Sequence, residues 1–164
     1  MANLILLLPL LVSFLISFLA MPFWIKKAKK VGLMWEDMNK SEKPKVAGSG
    51  GIIVIMAFVI GLLVYIAINT FIWENSERLI EIFALMSSIL ILAGVGIVDD
   101  LLGWKNKGLS KKFRIFMTFF AAIPLVVINA GISTISIPII GKINLGLLYP
   151  LLIIPIGVVG STNM

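Results

Sequence analysis

The sequence predicts an all-α polytopic membrane protein with five transmembrane helices, an outside N-terminus, a cytoplasmic C-terminus and one short outer β-hairpin. Hydrophobic residues make up 60% of the 164 residues and charged residues 13%, and the mean hydropathy of +1.10 is too high for a soluble domain. The apolar residues come in long runs, and the basic residues cluster between those runs. We therefore expect a single membrane domain over residues 1–164.

Residues 4–25 form the first predicted span, because they carry no charge and are long enough to cross a hydrocarbon core of ~30 Å. A cleaved signal peptide would carry its positive charges before the apolar run, whereas here four lysines follow it, between residues 26 and 30. Lysines on the inner side place the N-terminus outside.

Residues 26–51 form the first inward loop, which carries seven lysines and three acidic residues. One interpretation is a solvated loop whose lysines face anionic headgroups. The other is an anion-binding surface, in which the Gly48–Gly51 run lets backbone N–H groups approach a phosphate at the start of the next helix. Composition alone favours the first interpretation, since glycine-rich loops are common.

Four further apolar segments complete the predicted topology, with spans at about residues 52–72, 79–98, 113–131 and 145–164. A stretch near 132–144 alternates loosely, is rich in β-branched residues and is bracketed by glycines, so it predicts the outer hairpin. The two inward loops carry seven and five basic residues, whereas the outer segments carry only Arg78 and Lys142. This asymmetry predicts that the active face is cytoplasmic in the cell membrane.

The chain contains no cysteine and no histidine, which excludes disulfides and the usual nitrogen and sulfur ligands of zinc. Any metal must be held by oxygen atoms, which points to Mg²⁺ or Mn²⁺. The net charge of +6 is not a nucleic-acid signal, because the basic residues lie beside apolar runs as topology determinants.

Two consecutive aspartates, Asp99 and Asp100, end the third apolar run. A carboxylate at the edge of a bilayer is costly and usually functional, so a compensating cation is expected. With a metal and nearby lysines, the pair would suit phosphoryl transfer, in which one carboxylate holds the metal and the other faces the attacking group. The alternative is that Lys105 or Lys111 simply neutralises the pair as a topology anchor.

The order of several motifs resembles one family. These motifs are Asp37-Met-Asn-Lys40 with Gly50 and Gly51, then Asp99-Asp100-Leu-Leu-Gly103, then Thr162-Asn163. The whole chain resembles the N-terminal half of the polyprenyl-phosphate N-acetylhexosamine-1-phosphate transferases, which are glycosyl transferase family 4 and include the translocase that forms lipid I. The Asp-Met-Asn-Lys form is similar to the archaeal and eukaryotic dolichyl-phosphate branch.

The resemblance implies a reaction in which a polyprenyl or dolichyl phosphate attacks the β-phosphorus of a UDP-N-acetylhexosamine, with UMP released and Mg²⁺ required. It implies that Asp99 and Asp100 are the catalytic and metal-binding acids. It also implies that the substrates are bound by a wider set of residues: Asp37, Asn39, Lys40, Gly50, Gly51, Lys111, Arg114 and Asn163.

The chain also departs from the family pattern, because it supplies five of about ten spans and lacks the later Asp-Gly and the His-rich loop. We expect this piece to be inactive by itself and to need the missing C-terminal half, in cis or in trans. The alternative is a non-catalytic half-length membrane subunit, or a truncated and inactive family member.

Overall fold

The computed structural model describes residues 5–75, 77–105, 108–129, 132–137 and 141–162, and these ranges are mostly helical. The elements in chain order are α1 (Leu7–Val31), β1 (Met34–Glu36), β2 (Lys45–Ala47), α2 (Gly51–Phe71), α3 (Leu79–Lys105), α4 (Lys111–Ala121), α5 (Ile123–Ile128), β3 (Thr134–Ile137), β4 (Gly141–Asn144), a π-helical segment (Tyr149–Ile153) and α6 (Ile154–Thr162).

Among the described residues, three helices are long and apolar enough to cross a membrane: Leu7–Val31, Gly51–Phe71 and Leu79–Trp104. They confirm the first three predicted apolar helices. Most of their large apolar side chains are exposed, with Phe18 and Phe23 at 66% and 73%. Exposure on this scale fits helices that are solvated by lipid rather than by water.

The chain forms two compact units, and the first comprises Met1–Ser76 and Gly96–Leu109. Within this unit α1 packs against α2, where Ala57 and Gly61 are buried one helical turn apart. A β-carbon at Gly61 would overlap Ser13 Oγ and lie 2.8 Å from the carbonyl oxygen of Pro9. Small residues at this spacing let two membrane helices approach closely, so this contact fixes the α1–α2 pair.

A short hairpin lies between these two helices in sequence. Strands β1 and β2 pair antiparallel, with Met34 opposite Ala47 and Glu36 opposite Lys45. Helix α1 ends at Gly32, whose φ of +81° and N–H bonds to the carbonyls of Ala28 and Lys29 form a left-handed cap. This hairpin was not predicted, because strands of three residues are too short to show an alternating pattern.

The second unit comprises Glu77–Val95 and Ser110–Met164. Ser110 caps α4 by accepting a hydrogen bond from the Phe113 N–H at 3.3 Å. The predicted span at 113–131 is interrupted at Ala122, where α4 ends and α5 begins. Pro124 explains the interruption, because it has no N–H to donate to the preceding turn.

The predicted span at 145–164 is also irregular, since a π-helical segment over Tyr149–Ile153 precedes α6. The two together, Tyr149–Thr162, form an apolar helix shorter than the three long ones. The predicted outer hairpin is confirmed as a hairpin: β3 pairs antiparallel with β4, and Ile135 lies opposite Ile143.

Helix α3 differs from the prediction at its C-terminus. The apolar run ends at residue 98, but the helix continues to Lys105, so Asp99 and Asp100 lie inside its last two turns. The sequence Asp-Asp-Leu-Leu contains no helix breaker, and the first described break in the pattern is Gly108, with a φ of +72°.

Candidate functional site

Asp99 is held in place by the segment that follows α3. Its side chain is half-buried, and its Oδ1 accepts a hydrogen bond from the Leu109 N–H at 2.7 Å. Gly108 makes this contact possible, because its positive φ turns the chain back and a β-carbon there would lie 2.9 Å from Asp99 Oδ1. This hydrogen bond fixes the direction of the carboxylate.

Asp100 has a different environment one residue along the same helix. Its side chain is exposed, and successive helical residues point ~100° apart, so the two carboxylates do not share one direction. Within the described ranges, no group of three or more Asp, Glu, His or Cys residues is placed to hold a metal. A single exposed carboxylate such as that of Asp100 is compatible with Mg²⁺, which commonly uses one or two carboxylates together with water and substrate phosphates.

Trp35 on β1 packs against the same end of α3. A β-carbon at Gly103 would lie 2.9 Å from the indole Cη2 of Trp35, and a β-carbon at Gly48 would overlap the five-membered ring. The indole therefore fills the space that both glycines leave open. This contact joins the hairpin, whose turn contains the Asp37 motif, to the helix that carries Asp99 and Asp100.

Two other tryptophans tie the hairpin to the helices by hydrogen bonds. Trp104 Nε1 on α3 donates to the carbonyl oxygen of Gly32 at 2.8 Å, and Trp24 Nε1 on α1 donates to that of Gly48 at 3.0 Å. Both bonds therefore hold the β1–β2 hairpin at its open end, just before β1 and just after β2. We call Trp24, Trp35 and Trp104 with Gly32, Gly48 and Gly103 the tryptophan–glycine cluster.

The first-loop motif forms a compact turn between β1 and β2. Asp37 Oδ1 accepts the Asn39 N–H at 3.1 Å, and Asp37 Oδ2 lies 3.8 Å from Lys40 Nζ. The Asp37 N–H in turn donates to the carbonyl oxygen of Pro44 at 3.0 Å. Asp37 therefore organises the loop, while Asn39 and Lys40 line an open cavity of about 390 Å³.

Gly50 and Gly51 lie at the N-terminus of α2, as predicted. Gly50 is the N-cap, no side chain caps this end, and no acidic residue lies in the first turn. Ser49 precedes them with a φ of +54°, and its hydroxyl is buried without a hydrogen-bond partner. The N–H groups of Ile52 and Ile53 donate to the carbonyl oxygens of Ser49 and Gly50 at 3.3 and 3.1 Å, so it is mainly the positive dipole end of the helix that suits an anion here.

Lys111 and Arg114 are exposed residues in the first turn of α4, in the second unit. Cations are unfavourable at the positive end of a helix dipole, so their placement there costs stability unless an anion lies nearby. Asn163 lies outside the described residues.

Sequence reasoning missed Ser49 and the tryptophan–glycine cluster. The glycines were visible, but nothing in the sequence indicates which glycine faces which indole. Ser49 carried no signal, because a serine between glycines is ordinary in a loop.

Comparison with known proteins adds a family match. The model of the family described as glycosyl transferase family 4 matches residues 82–164. A protein of Saccharolobus solfataricus is 36% identical over 163 residues, covering 99% of this chain and 47% of the relative. It carries the provisional name UDP-N-acetylglucosamine–dolichyl-phosphate N-acetylglucosaminephosphotransferase.

Two further relatives are similar over most of the chain. A Sulfolobus acidocaldarius protein with the same provisional name is 31% identical over 149 residues, covering 91% of this chain and 43% of the relative. A phospho-N-acetylmuramoyl-pentapeptide-transferase of Streptococcus pyogenes is 30% identical over 166 residues, covering 93% and 47%. The chain spans about half the length of the curated relatives it matches.

Proposed function

Because the chain belongs to glycosyl transferase family 4, we propose that the full-length protein transfers N-acetylglucosamine-1-phosphate from UDP-N-acetylglucosamine to a membrane polyprenyl or dolichyl phosphate. The names of the archaeal and streptococcal relatives support the class of reaction, since both describe phosphosugar transfer. The dolichyl-phosphate relative of Saccharolobus solfataricus is 36% identical and the streptococcal relative 30%, which supports GlcNAc as the sugar.

One observation of this chain carries the proposal: the packing of Trp35 against Gly103. It joins the end of α3, with its two carboxylates, to the hairpin that leads into the Asp37 motif. Carboxylates for a metal and basic residues for phosphates are the groups that phosphoryl transfer needs. A simple topology anchor would not need an acidic helix end fastened to this loop.

The proposed reaction exchanges one phosphoanhydride (pyrophosphate) bond for another. An oxygen of the lipid phosphate attacks the β-phosphorus of the UDP-sugar, and a new phosphorus–oxygen bond forms. The bond between that phosphorus and the bridging oxygen breaks, and UMP leaves with the bond electrons. The products are a lipid diphosphate sugar and UMP, so positioning and charge neutralisation are the main tasks of the protein.

The environments of the two aspartates suggest different roles. Asp100 is exposed and is the better placed to share a Mg²⁺ or Mn²⁺ with substrate phosphates. The bound ion would supply positive charge to the phosphate oxygens. Asp99 is fixed through Oδ1 by the Leu109 N–H, so it contributes a carboxylate of defined direction beside the metal or the attacking phosphate.

The remaining residues provide the substrate-binding surface in this proposal. Asn39 and Lys40 line the open cavity of the first loop, where they would contact the nucleotide-sugar. Gly50 and Gly51 offer the N-terminus of α2 to a phosphate. The family resemblance assigns substrate binding to three further residues in this proposal: Lys111, Arg114 and Asn163.

We also propose that the protein is a multi-pass membrane protein with its active face in the cytoplasm. The first three apolar helices, together with the excess of basic residues in the two loops predicted to be inward, support this topology. Two further spans at 113–131 and 145–164 belong to the same proposal.

The test is a radiochemical assay of the purified full-length protein in lipid nanodiscs. We expect UMP to be released only when UDP-GlcNAc, dolichyl phosphate and Mg²⁺ are all present. The 164-residue chain in the same nanodiscs should release none. Failure of the full-length protein with every UDP-N-acetylhexosamine, together with no UDP-sugar binding, would favour a non-catalytic membrane subunit.

A further inference from the structure

A groove of about 650 Å³ runs along one face of α1. It begins at Phe14 and Phe18, passes Pro22 and ends at Lys26 and Lys29. These residues recur at spacings of three and four, which places them on one side of the helix. The groove is therefore apolar at one end and cationic at the other.

Two stacked aromatic rings form the surface at the apolar end of the groove. The rings of Phe14 and Phe18 stack with centroids 5.8 Å apart and an interplanar angle of 18°, which gives a flat aromatic wall. Pro22 follows one turn later and provides no N–H to the carbonyl of Phe18, which interrupts the regular helix surface at this point.

The length of the apolar part matches one leaflet of a bilayer. From Phe14 to Ile25 the helix rises ~16 Å at ~1.5 Å per residue, and half of a hydrocarbon core is ~15 Å. A hydrocarbon chain from the lysine-side leaflet would thus extend from the membrane midplane to the level of the lysines.

The polar end of the groove lacks negative charge. Helix α1 contains no acidic residue, and Lys26 and Lys29 form no ion pair with the described residues. The close contact of α1 with α2 at Gly61 is made by Pro9 and Ser13, which do not line the groove. The groove is thus open, and its unpaired charge is complementary to an anion at the membrane surface.

We propose that this groove binds an anionic two-chain membrane lipid, with one hydrocarbon chain against Phe14 and Phe18 and the headgroup phosphate between Lys26 and Lys29. A lysine near the surface attracts anionic lipid in any case. The groove adds shape, because it gives the chain of the same lipid a defined position. The proposal does not depend on the reaction of the full-length protein.

The chain offers a matched control for the charge. Lys27 and Lys30 lie in the same turns of α1 but do not line the groove. The K26Q/K29Q and K27Q/K30Q variants therefore lose the same charge, at the same depth, from two different faces. Only a lipid in the groove distinguishes them.

The experiment is native mass spectrometry of the full-length protein, titrated in detergent with dioleoyl phosphatidylglycerol or dioleoyl phosphatidylcholine. We expect the first bound phosphatidylglycerol to be retained at least about tenfold better than phosphatidylcholine. The K26Q/K29Q variant should lose this preference, and the K27Q/K30Q variant should keep it. Equal losses in the two variants, or equal retention of the two lipids, would overturn the proposal.

A photocrosslinker at position 18 tests what covers the groove in nanodiscs that contain phosphatidylglycerol. Crosslinks to phosphatidylglycerol are expected. Crosslinks to another part of the full-length protein would overturn the proposal, since the groove would then be an internal packing surface. Crosslinks to added polyprenyl phosphate that phosphatidylglycerol does not displace would overturn it as well.

Discussion

Asp99 and Asp100 are neighbours in sequence, but the surroundings of their carboxylates differ. Asp99 accepts a backbone N–H from Leu109, whereas Asp100 is exposed on the helix surface. The same substitution at the two positions should therefore have different structural consequences, even where both reduce turnover. This difference separates a loss of chemistry from a loss of structure.

Removal of the charge at Asp100 should strongly reduce turnover without lowering the thermal stability of the protein. We expect Asp100→Asn to lower the rate of UMP release by the full-length protein at least about 100-fold, because a metal ligand commonly contributes several kcal/mol. The midpoint of thermal unfolding should stay within about 1 °C, since the side chain is exposed. An unchanged rate across a Mg²⁺ titration would reject the assignment.

Asp99 permits a sharper pair of variants. In Asp99→Asn the amide oxygen can still accept the Leu109 N–H, so the rate should fall while the thermal midpoint is kept. In Asp99→Ala that bond is lost, and we expect a further destabilisation of about 1–3 kcal/mol. Equal stability of the two variants in a denaturation series would show that the bond does not hold the loop.

Ser49 combines an unfavourable backbone with a buried hydroxyl that has no partner. Both features cost stability, by roughly 1–2 kcal/mol for the left-handed backbone and roughly 1–3 kcal/mol for the hydroxyl. Ser49→Gly should therefore raise the unfolding temperature. If the hydroxyl meets a substrate phosphate, the KM for UDP-GlcNAc should rise about tenfold in both Ser49→Gly and Ser49→Ala. A KM unchanged in both variants would exclude Ser49 from the binding site.

At the scale of elements, the main feature is the attachment of the β1–β2 hairpin to α3. Strands of three residues are marginal alone, so the hairpin depends on the tryptophan–glycine cluster for its position. Gly103 matters because Trp35 occupies the space of its missing side chain. A glycine inside a helix is otherwise destabilising by about 1 kcal/mol relative to alanine.

The contact between Trp35 and Gly103 predicts that a larger side chain at position 103 disturbs the hairpin. Gly103→Val should displace the indole, loosen the hairpin and lower the turnover number, with faster proteolysis of the loop at residues 37–44. Gly94→Val is the matched control, because a β-carbon at Gly94 meets nothing within 4 Å. Equal proteolysis rates of the two variants would contradict a role of this contact in holding the loop.

The sequence predicted the elements whose signal is local and missed those that depend on contacts. The runs at 4–25, 52–72 and 79–98 are long and apolar enough to define helices by themselves, and the hairpin near 132–144 is bracketed by glycines. The end of α3 was misplaced, because a change from apolar to acidic residues marks a membrane edge and not a helix end. Pro124 was a visible signal for the interruption after α4, but the apolar run continues through it.

The candidate site was predicted as residues but not as an arrangement. Asp99, Asp100, Asp37 and the glycines were identified from their order along the chain. Trp35 and Trp104 hold the hairpin against the end of α3 through contacts between residues far apart in sequence, such as the hydrogen bond from Trp104 Nε1 to the carbonyl oxygen of Gly32. A single sequence does not encode such pairs in any pattern of spacing.

At the scale of the whole molecule, the charge distribution gives the sharpest remaining prediction. Seven and five basic residues lie in the loops predicted to be inward, and Arg78 and Lys142 lie in the segments predicted to be outside. If the basic loops are cytoplasmic, then residue 41 and residue 142 must lie on opposite sides of the membrane. The chain has no cysteine, so single introduced cysteines report without background from this region.

Ser41→Cys and Lys142→Cys should therefore label oppositely with a membrane-impermeant maleimide, in a full-length protein from which any other cysteines are removed. In intact cells we expect labelling at position 142 but not at position 41, because both side chains are exposed and the membrane keeps the reagent away from position 41 alone. Permeabilised cells should label at both positions, which controls for accessibility. Labelling of position 41 in intact cells would reverse the topology and place the Asp99–Asp100 end of α3 outside, where a cytoplasmic nucleotide-sugar could not reach it.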